Sequence, residues 1–334
     1  MFVCAIQKLG EPRFGCNETS NAETSGTGGN VSTTRQQTLK NRINCTGIGL
    51  HSNASVSMTL CPAPPGSGIL FRRTDLNRTT ASVAARVENV VDCRFSTTIG
   101  HGEDLCIGTI EHLMAALAGC RVDNALVEID GPEVPIMDGS SAPFIFLIEC
   151  AGTVAQDAQR QAIRILKDVR VDDGERSASL CPATDFSASF ELDYENPVIA
   201  RQEYFFQFEG ESFKSDLSRA RTFCLEQEVD YLRSLGLAQG GSLDNAIVVG
   251  EQGILNEGGL RHNDEFVRHK ILDAVGDLYL AGAPIQGHFH GVCSGHEMNH
   301  RLLNALLEDS SAWCFAPVAD EQPAMLETPI AATA

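Results

Sequence analysis

His269, Asp273 and Asp277 recur every fourth residue within EFVRHKILDAVGDL. On a helix that spacing stacks the three side chains along one stripe. An imidazole and a carboxylate one turn apart can hold the same divalent ion, and nitrogen with oxygen donors suits zinc. The same spacing equally serves a surface helix whose His and Asp face water. Glu111 and His112 form a second candidate pair, in GTIEHLMAALAG. Neighbours on a helix diverge by about 100°, so this pair can flank one point from two sides without both binding it. The plainer alternative is a Glu placed for the helix dipole beside a chance His. Arg221-Thr222-Phe223, Lys270 and Ser294-Gly295-His296 complete the groups of chemical use. Lys270 is one of only five lysines, and its bland role is a solvated side chain beside a buried one.

The elements that must position these groups follow from apolar spacing and punctuation. Residues 262–280 are expected to form one helix, with Asn263 or Asp264 as cap, Glu265 adding charge to the first turn and Gly282 ending it. Val267, Ile271, Val275 and Leu278 give that helix a core-facing stripe. Residues 108–119 are expected as a compact helix capped by Thr109 and stopped by Gly119, with Ile110, Leu113, Met114 and Leu117 on its apolar side. Strands are expected at 38–46, 54–60, 68–73, 124–129, 163–171, 187–192, 204–208, 246–249 and 286–292. Further helices are expected at 143–150, 226–235 and 296–307. His51, in the turn GIGLHSN, reads as an exposed loop histidine. His288 and His290 in QGHFHG share one strand face and read as solvent-facing. Each half carries strands and helices in the same rough order. That predicts an α+β fold of two similar layers, sheet packed on helices, each with a small insert. No Gly-x-Gly-x-x-Gly follows the first strand and no G-x-S-x-G elbow occurs, so neither a dinucleotide fold nor a serine hydrolase has its usual mark.

A chain of 334 residues has room for two domains. The expected division is a disordered leader over 1–35, a first domain over 36–155, a polar linker, and a second domain over 160–313. An insert is expected at about 224–255 and a loose tail over 314–334. The formal charge of −19 argues against non-specific binding to nucleic acid or an anionic membrane. Twelve cysteines are scattered with no C-x-x-C pair, the pattern of reduced thiols in a cytoplasmic protein rather than of disulfides or a Cys-based zinc site. No run approaches the length of a membrane span, and the first residues lack a secretory layout.

TIEHLMAALAG, MDGSSAPF, SRARTF, EFVRHKILDAVGDLYLAG and SGHEMNHRLL resemble, in order, the signature blocks of the UDP-3-O-acyl-N-acetylglucosamine deacetylase family, the zinc amidases of lipid A synthesis. TLKNRINCTGIGLHS and ILFRRTDLN resemble that family's opening strands. The resemblance runs over about 37–307. It implies hydrolysis of the N-acetyl group of UDP-3-O-acyl-N-acetylglucosamine, the committed step of lipid A biosynthesis, at a site between the two domains. It further implies zinc ligands at His112, His269 and Asp273, with iron(II) as the alternative metal and one position left for water. Glu111 matches the general base and His296 a positively charged second catalytic group. Asp277 would hold that imidazole, and Thr222 would help bind the tetrahedral oxygen. Lys270 corresponds to a diphosphate-binding lysine and Phe223 to a ring against the glucosamine. Gly241, Ser242, Ala246 and Val248 fall where the wall of an acyl passage should be. Asp193 and Tyr194 are placed near uracil, and His51 at the site's edge. The implied partner is the acylated UDP-amino sugar alone, bound by a monomer without stable membrane insertion. Three features depart from the family: the leader has no counterpart, Ser96 and Thr98 stand where some members carry cysteines, and His288 and His290 are extra histidines near the site. Two rival expectations are amidase chemistry on a different sugar or acyl chain, and a catalytically silent nucleotide-sugar binder.

Overall fold

The computed structural model describes residues 34–76, 81–102 and 105–318. Nearly all of the expected leader, and residues 319–334 of the expected tail, lie outside the described residues. Among the described residues there are five α-helices: α1 (Glu111–Gly119), α2 (Ala142–Ala151), α3 (Glu226–Ser234), α4 (Glu265–Leu278) and α5 (His296–Glu308).

Two five-stranded sheets repeat one plan. The first runs Ile43–Ile48, Ser55–Pro62, Ala125–Ile129, Ile69–Arg73, Ser82–Ala84. The second runs Val169–Asp173, Arg176–Cys181, His288–Val292, Ser187–Asp193, Arg201–Gln207. In each, the last strand in chain order slots into the middle, antiparallel to the second and parallel to the third. In each half one helix precedes that central strand and another follows it, α1 and α2 in the first, α4 and α5 in the second. Strand alternation turns one face of each sheet to the core: Val56, Met58 and Leu60 in the first, Ala188, Phe190, Leu192 and Phe289 in the second, all buried. The helices α1 and α4 pack on each other, joining the two halves. This is the expected α+β architecture of two similar layers. Each half also carries an insert, a small sheet of Val90–Asp92, Thr98–His101 and Leu105–Ile107 in the first. In the second it is α3 with the parallel pair Phe223–Leu225 and Ile247–Val249. No helix among the described residues is long and apolar enough to cross a membrane.

Several local expectations differ from the structure; the strand expected at 163–171 is two, Gln161–Ile165 and Val169–Asp173, in different sheets. The strand expected at 38–46 is two, Arg35–Leu39 and Ile43–Ile48, and the first pairs with Thr153–Gln159 in the stretch expected as linker. Trp313–Pro317, expected within the loose tail from 314 on, is a strand on Gln161–Ile165, whose own backbone groups need that partner. Arg176–Cys181 went unforeseen because RSASLC lacks the β-branched residues that mark strands. Thr109 does not cap α1: its φ is 55° and its hydroxyl donates to Glu133 Oε1 at 2.8 Å, while Ile110 takes the cap position.

Candidate metal centre and active site

The close approach of α1 and α4 depends on one residue without a side chain. A Cβ on Gly276 would stand 2.1 Å from the Glu111 carbonyl oxygen and 3.1 Å from the Ala115 nitrogen. With only hydrogen there, the polar stripe of α4 lies against the first turn of α1. The result is that His112, His269 and Asp273 converge, each buried, with one possible ligand atom of each within 4.8 Å of the others. His269 Nε2 is 3.3 Å and His112 Nε2 is 3.6 Å from Asp273 Oδ1, and the two rings meet edge-on at 5.0 Å.

The donor set fits a divalent cation on the structure's own terms. Among the described residues, Asp273 Oδ1 is buried with no hydrogen-bond donor and His112 Nδ1 is likewise buried without a partner. Buried carboxylate oxygens are ordinarily satisfied, so an unpaired one facing two imidazoles calls for a cation. His269 Nδ1 lies 3.0 Å from the Ala220 carbonyl oxygen, which can only accept, so Nδ1 carries the proton and Nε2 offers a lone pair. Burial lowers the His269 pKa to about 3, outweighing the neighbouring Asp273 charge, so the ring is neutral as a ligand must be. For Asp273, burial would raise the pKa, but the imidazoles that face it and the Lys270 ammonium hydrogen-bonded to it favour the carboxylate and hold it well below its usual range. Three protein donors leave room in a four-coordinate shell.

Beside the cluster lies a second buried constellation. The Glu111 carboxylate is 3% exposed and its pKa is raised by burial, offset in part by His296 and His112. Its Oε1 is 3.8 Å from His296 Nε2. The other ring nitrogen of His296, Nδ1, is 2.8 Å from Asp277 Oδ2, which also accepts from Asn299 Nδ2 at 2.9 Å. Burial opposes the His296 charge, but the Asp277 carboxylate with its hydrogen bond, then Glu111 and Asp273, raise the pKa to about 9. His296 is therefore an imidazolium at neutral pH. Two residues of this constellation, Thr97 and Asn299, went unsingled in the sequence. Thr97 donates from Oγ1 to Asp277 Oδ1 at 2.6 Å and from its backbone N–H to Glu111 Oε2 at 3.0 Å.

The loop bearing Thr222 is fixed from both sides. Glu265, expected as a dipole charge, is fully buried and accepts from the backbone N–H of Arg221 at 3.0 Å and its Nε at 2.9 Å. From the other side, Thr222 N–H donates to Gly139 O at 2.8 Å and Ser141 N–H to Ser218 O at 3.0 Å. Ser141 Oγ in turn reaches the His112 carbonyl at 2.8 Å, tying MDGSSAPF to α1. The arrangement sets Ala220 O on His269 with Thr222 two residues on. Phe223 packs edge-on to Phe266 at 4.9 Å and to Tyr194 at 6.0 Å, with Lys270 Nζ 5.7 Å from its ring centre. Lys270 is not simply solvated, since Nζ donates to Asp273 Oδ2 at 2.6 Å. Asp193 lies at a strand end opposite Arg201.

In the second insert, Ala246 is buried, Gly241 and Val248 half-buried and Ser242 exposed. The adjoining loop docks on the first half, Gly240 N–H donating to Leu50 O at 3.0 Å and Ala238 N–H to His51 Nδ1 at 3.3 Å. His51, expected as an exposed loop residue, is half-buried, and its buried Nε2 has no hydrogen-bond partner among the described residues. It lines a cavity of about 430 Å³ with Phe95, Ser96, Thr98, Glu133 and Leu235. His288 and His290 share the sheet face opposite Phe289 and are only half-exposed. His288 sits between Ser187 Oγ and Ser189 Oγ at 2.8 and 2.9 Å, so neither nitrogen is spare.

Comparison with known proteins identifies the family. The family model described as UDP-3-O-acyl N-acetylglycosamine deacetylase, LpxC, matches residues 36–308. The UDP-3-O-acyl-N-acetylglucosamine deacetylase of Acidithiobacillus ferrooxidans is 51% identical over 290 residues, covering 86% of this chain and 95% of that protein. The protein of that name from Pseudomonas entomophila is 49% identical, covering 89% and 99%, and that from Cellvibrio japonicus 48%, covering 88% and 97%. With a family match over 36–308, the stretch that holds both five-stranded sheets and α1 to α5, and with relatives about half identical along nearly their whole length, the chain belongs to the UDP-3-O-acyl N-acetylglycosamine deacetylase family.

Proposed function

We propose that this chain hydrolyses the N-acetyl amide of UDP-3-O-acyl-N-acetylglucosamine to UDP-3-O-acyl-glucosamine and acetate, the committed step of lipid A biosynthesis. The observation that carries the reading is a buried His/His/Asp donor set standing beside a buried carboxylate and an imidazolium. His112, His269 and Asp273 are the residues that would hold the metal, with zinc favoured by the nitrogen and oxygen donors and iron(II) as the alternative. A cation held there supplies Lewis acidity to the amide carbonyl and to the attacking water.

The remaining work falls to the chain's own groups. Glu111 takes a proton from water as its oxygen adds to the amide carbon, and a pKa raised by burial strengthens it as a base. His296, cationic through Asp277, donates a proton to the sugar nitrogen as the C–N bond breaks. The Thr222 hydroxyl donates to the amide oxygen as charge gathers on it. Lys270 spends one N–H on Asp273, which leaves two for a phosphate oxygen. Phe223 and Tyr194 present ring faces to the sugar and base, while Gly241, Ser242, Ala246 and Val248 border the acyl chain. Every cysteine among the described residues is unpaired, which supports a cytoplasmic setting.

Acetate release from the acylated UDP-sugar by metal-loaded protein is the direct test. Turnover that disappears on chelation and returns with zinc supports the reading. Binding of the nucleotide sugar with no acetate released would replace it with a silent binding protein.

A further inference from the structure

We propose that Thr97 is a positioning residue that sets the carboxylates of Glu111, the base, and Asp277, the partner of His296, in one fixed geometry. The inference rests on the roles assigned above to Glu111, Asp277 and His296. Thr97 is 2% exposed and uses all its polar groups. Its N–H donates to Glu111 Oε2 at 3.0 Å, its Oγ1 to Asp277 Oδ1 at 2.6 Å, and its carbonyl accepts from Ile110 N–H at 3.2 Å. It stands just before the strand Thr98–His101 of the first half, whereas Asp277 belongs to α4 of the second. One side chain thereby links the halves at the reaction centre.

Each bond selects an oxygen. Holding Oε2 of Glu111 leaves Oε1 toward His296 Nε2, where proton traffic is needed. Holding Oδ1 of Asp277 leaves Oδ2 to His296 Nδ1 and Asn299. Without the hydroxyl, Oδ1 is a buried carboxylate oxygen with no donor, and the carboxylate is free to turn about Cβ–Cγ. The imidazole then loses its fixed direction. Valine keeps the shape and the backbone bond to Glu111 and removes only the hydroxyl, so it isolates the Asp277 arm.

The test compares Thr97→Val with Thr97→Ser in the full-length, metal-loaded chain, with Glu111→Gln and His296→Ala as references. Thr97→Val is expected to lower kcat by about 10- to 100-fold with KM and metal content unchanged, as loss of an outer hydrogen-bond partner does elsewhere. Thr97→Ser, which restores the hydroxyl, should recover most of that loss. A second readout needs no metal: the His296 Nδ1–H proton resonance of the metal-free protein. It should stay downfield in Thr97→Ser and move upfield or broaden away in Thr97→Val. Should valine prevent folding, Thr97→Ala against Thr97→Ser gives the same comparison. Unchanged kcat and resonance in Thr97→Val, or equal damage in Thr97→Ser, overturns the proposal while inactive Glu111→Gln and His296→Ala leave the function standing. Active reference variants would instead overturn the functional reading itself.

Discussion

Gly276→Ala puts two opposing effects in competition, and the structure decides between them. On an isolated helix the substitution stabilises by about 0.8–1 kcal/mol, because alanine restricts the unfolded chain and glycine does not. In this protein the new Cβ would stand 2.1 Å from the Glu111 carbonyl oxygen and 2.9 Å from its carbon, both backbone atoms that no rotamer change can remove. Restoring ordinary contact requires α1 and α4 to separate by on the order of 1 Å. Overpacking of that kind costs about 1–3 kcal/mol, so the net effect is destabilising by up to about 2 kcal/mol once the helix propensity gain is subtracted. The larger consequence is at the metal. His112 rides on α1 while His269 and Asp273 ride on α4. Metal–ligand distances tolerate only about 0.2 Å, so separating the helices should weaken zinc binding by about tenfold or more. Competition titration against a chromophoric chelator reads the affinity, and thermal unfolding of the metal-free protein reads the stability. Gly253→Ala, where an added Cβ meets nothing within 4 Å, is the control and should change neither. A Gly276→Ala protein as stable as its parent, with unaltered zinc affinity, would refute the argument that this contact positions the ligands.

Other outcomes follow from the same geometry. Glu111→Gln should retain metal, shown by elemental analysis, while acetate release falls by about 10²- to 10⁴-fold; full activity would remove Glu111 from the chemistry. The basic limb of the pH–rate profile should fall near pH 9, where His296 loses its proton, and Asp277→Asn should move that limb to lower pH. His296 also links pH to stability: its folded pKa is raised from 6.5 to about 9, so its contribution is complete below pH 6.5 and is lost as pH rises toward 9. Urea titrations of the metal-free protein across that range would show the decline, and a flat profile would contradict it. Glu265→Ala strands the buried Arg221 guanidinium and should cost about 3–5 kcal/mol, read as a lowered unfolding midpoint. It should also weaken zinc binding, because Ala220 would no longer be held on His269.

What the sequence disclosed depended on whether a residue's partners lay nearby along the chain. The polar stripe of α4 was legible because His269, Asp273 and Asp277 are one turn apart, and helical geometry alone aligns them. The α+β layering was legible from alternation and from the recurrence of strand and helix order in the two halves. Thr97 was not legible, since a threonine in a loop announces nothing and its meaning lies 180 residues away in Asp277. Glu265 reads from the sequence as a charge in a helix's first turn, but in the fold it is a buried partner of Arg221, 44 residues back. The strand Trp313–Pro317 was hidden for a related reason: its order comes from pairing with Gln161–Ile165 across the whole second half. Gly276 carried no signal at all, because a glycine inside a helix reveals its purpose only when the neighbouring backbone is in view.

The proposed chemistry requires two helices from different halves to deliver three side chains to a single cation. An anomalous difference map across the zinc absorption edge, from crystals of the metal-loaded chain, examines that directly. It should show one peak about 2.0–2.2 Å from a nitrogen of His112, a nitrogen of His269 and an oxygen of Asp273, with no fourth protein donor. A peak away from these residues, or a fourth side chain closing the shell, would contradict it.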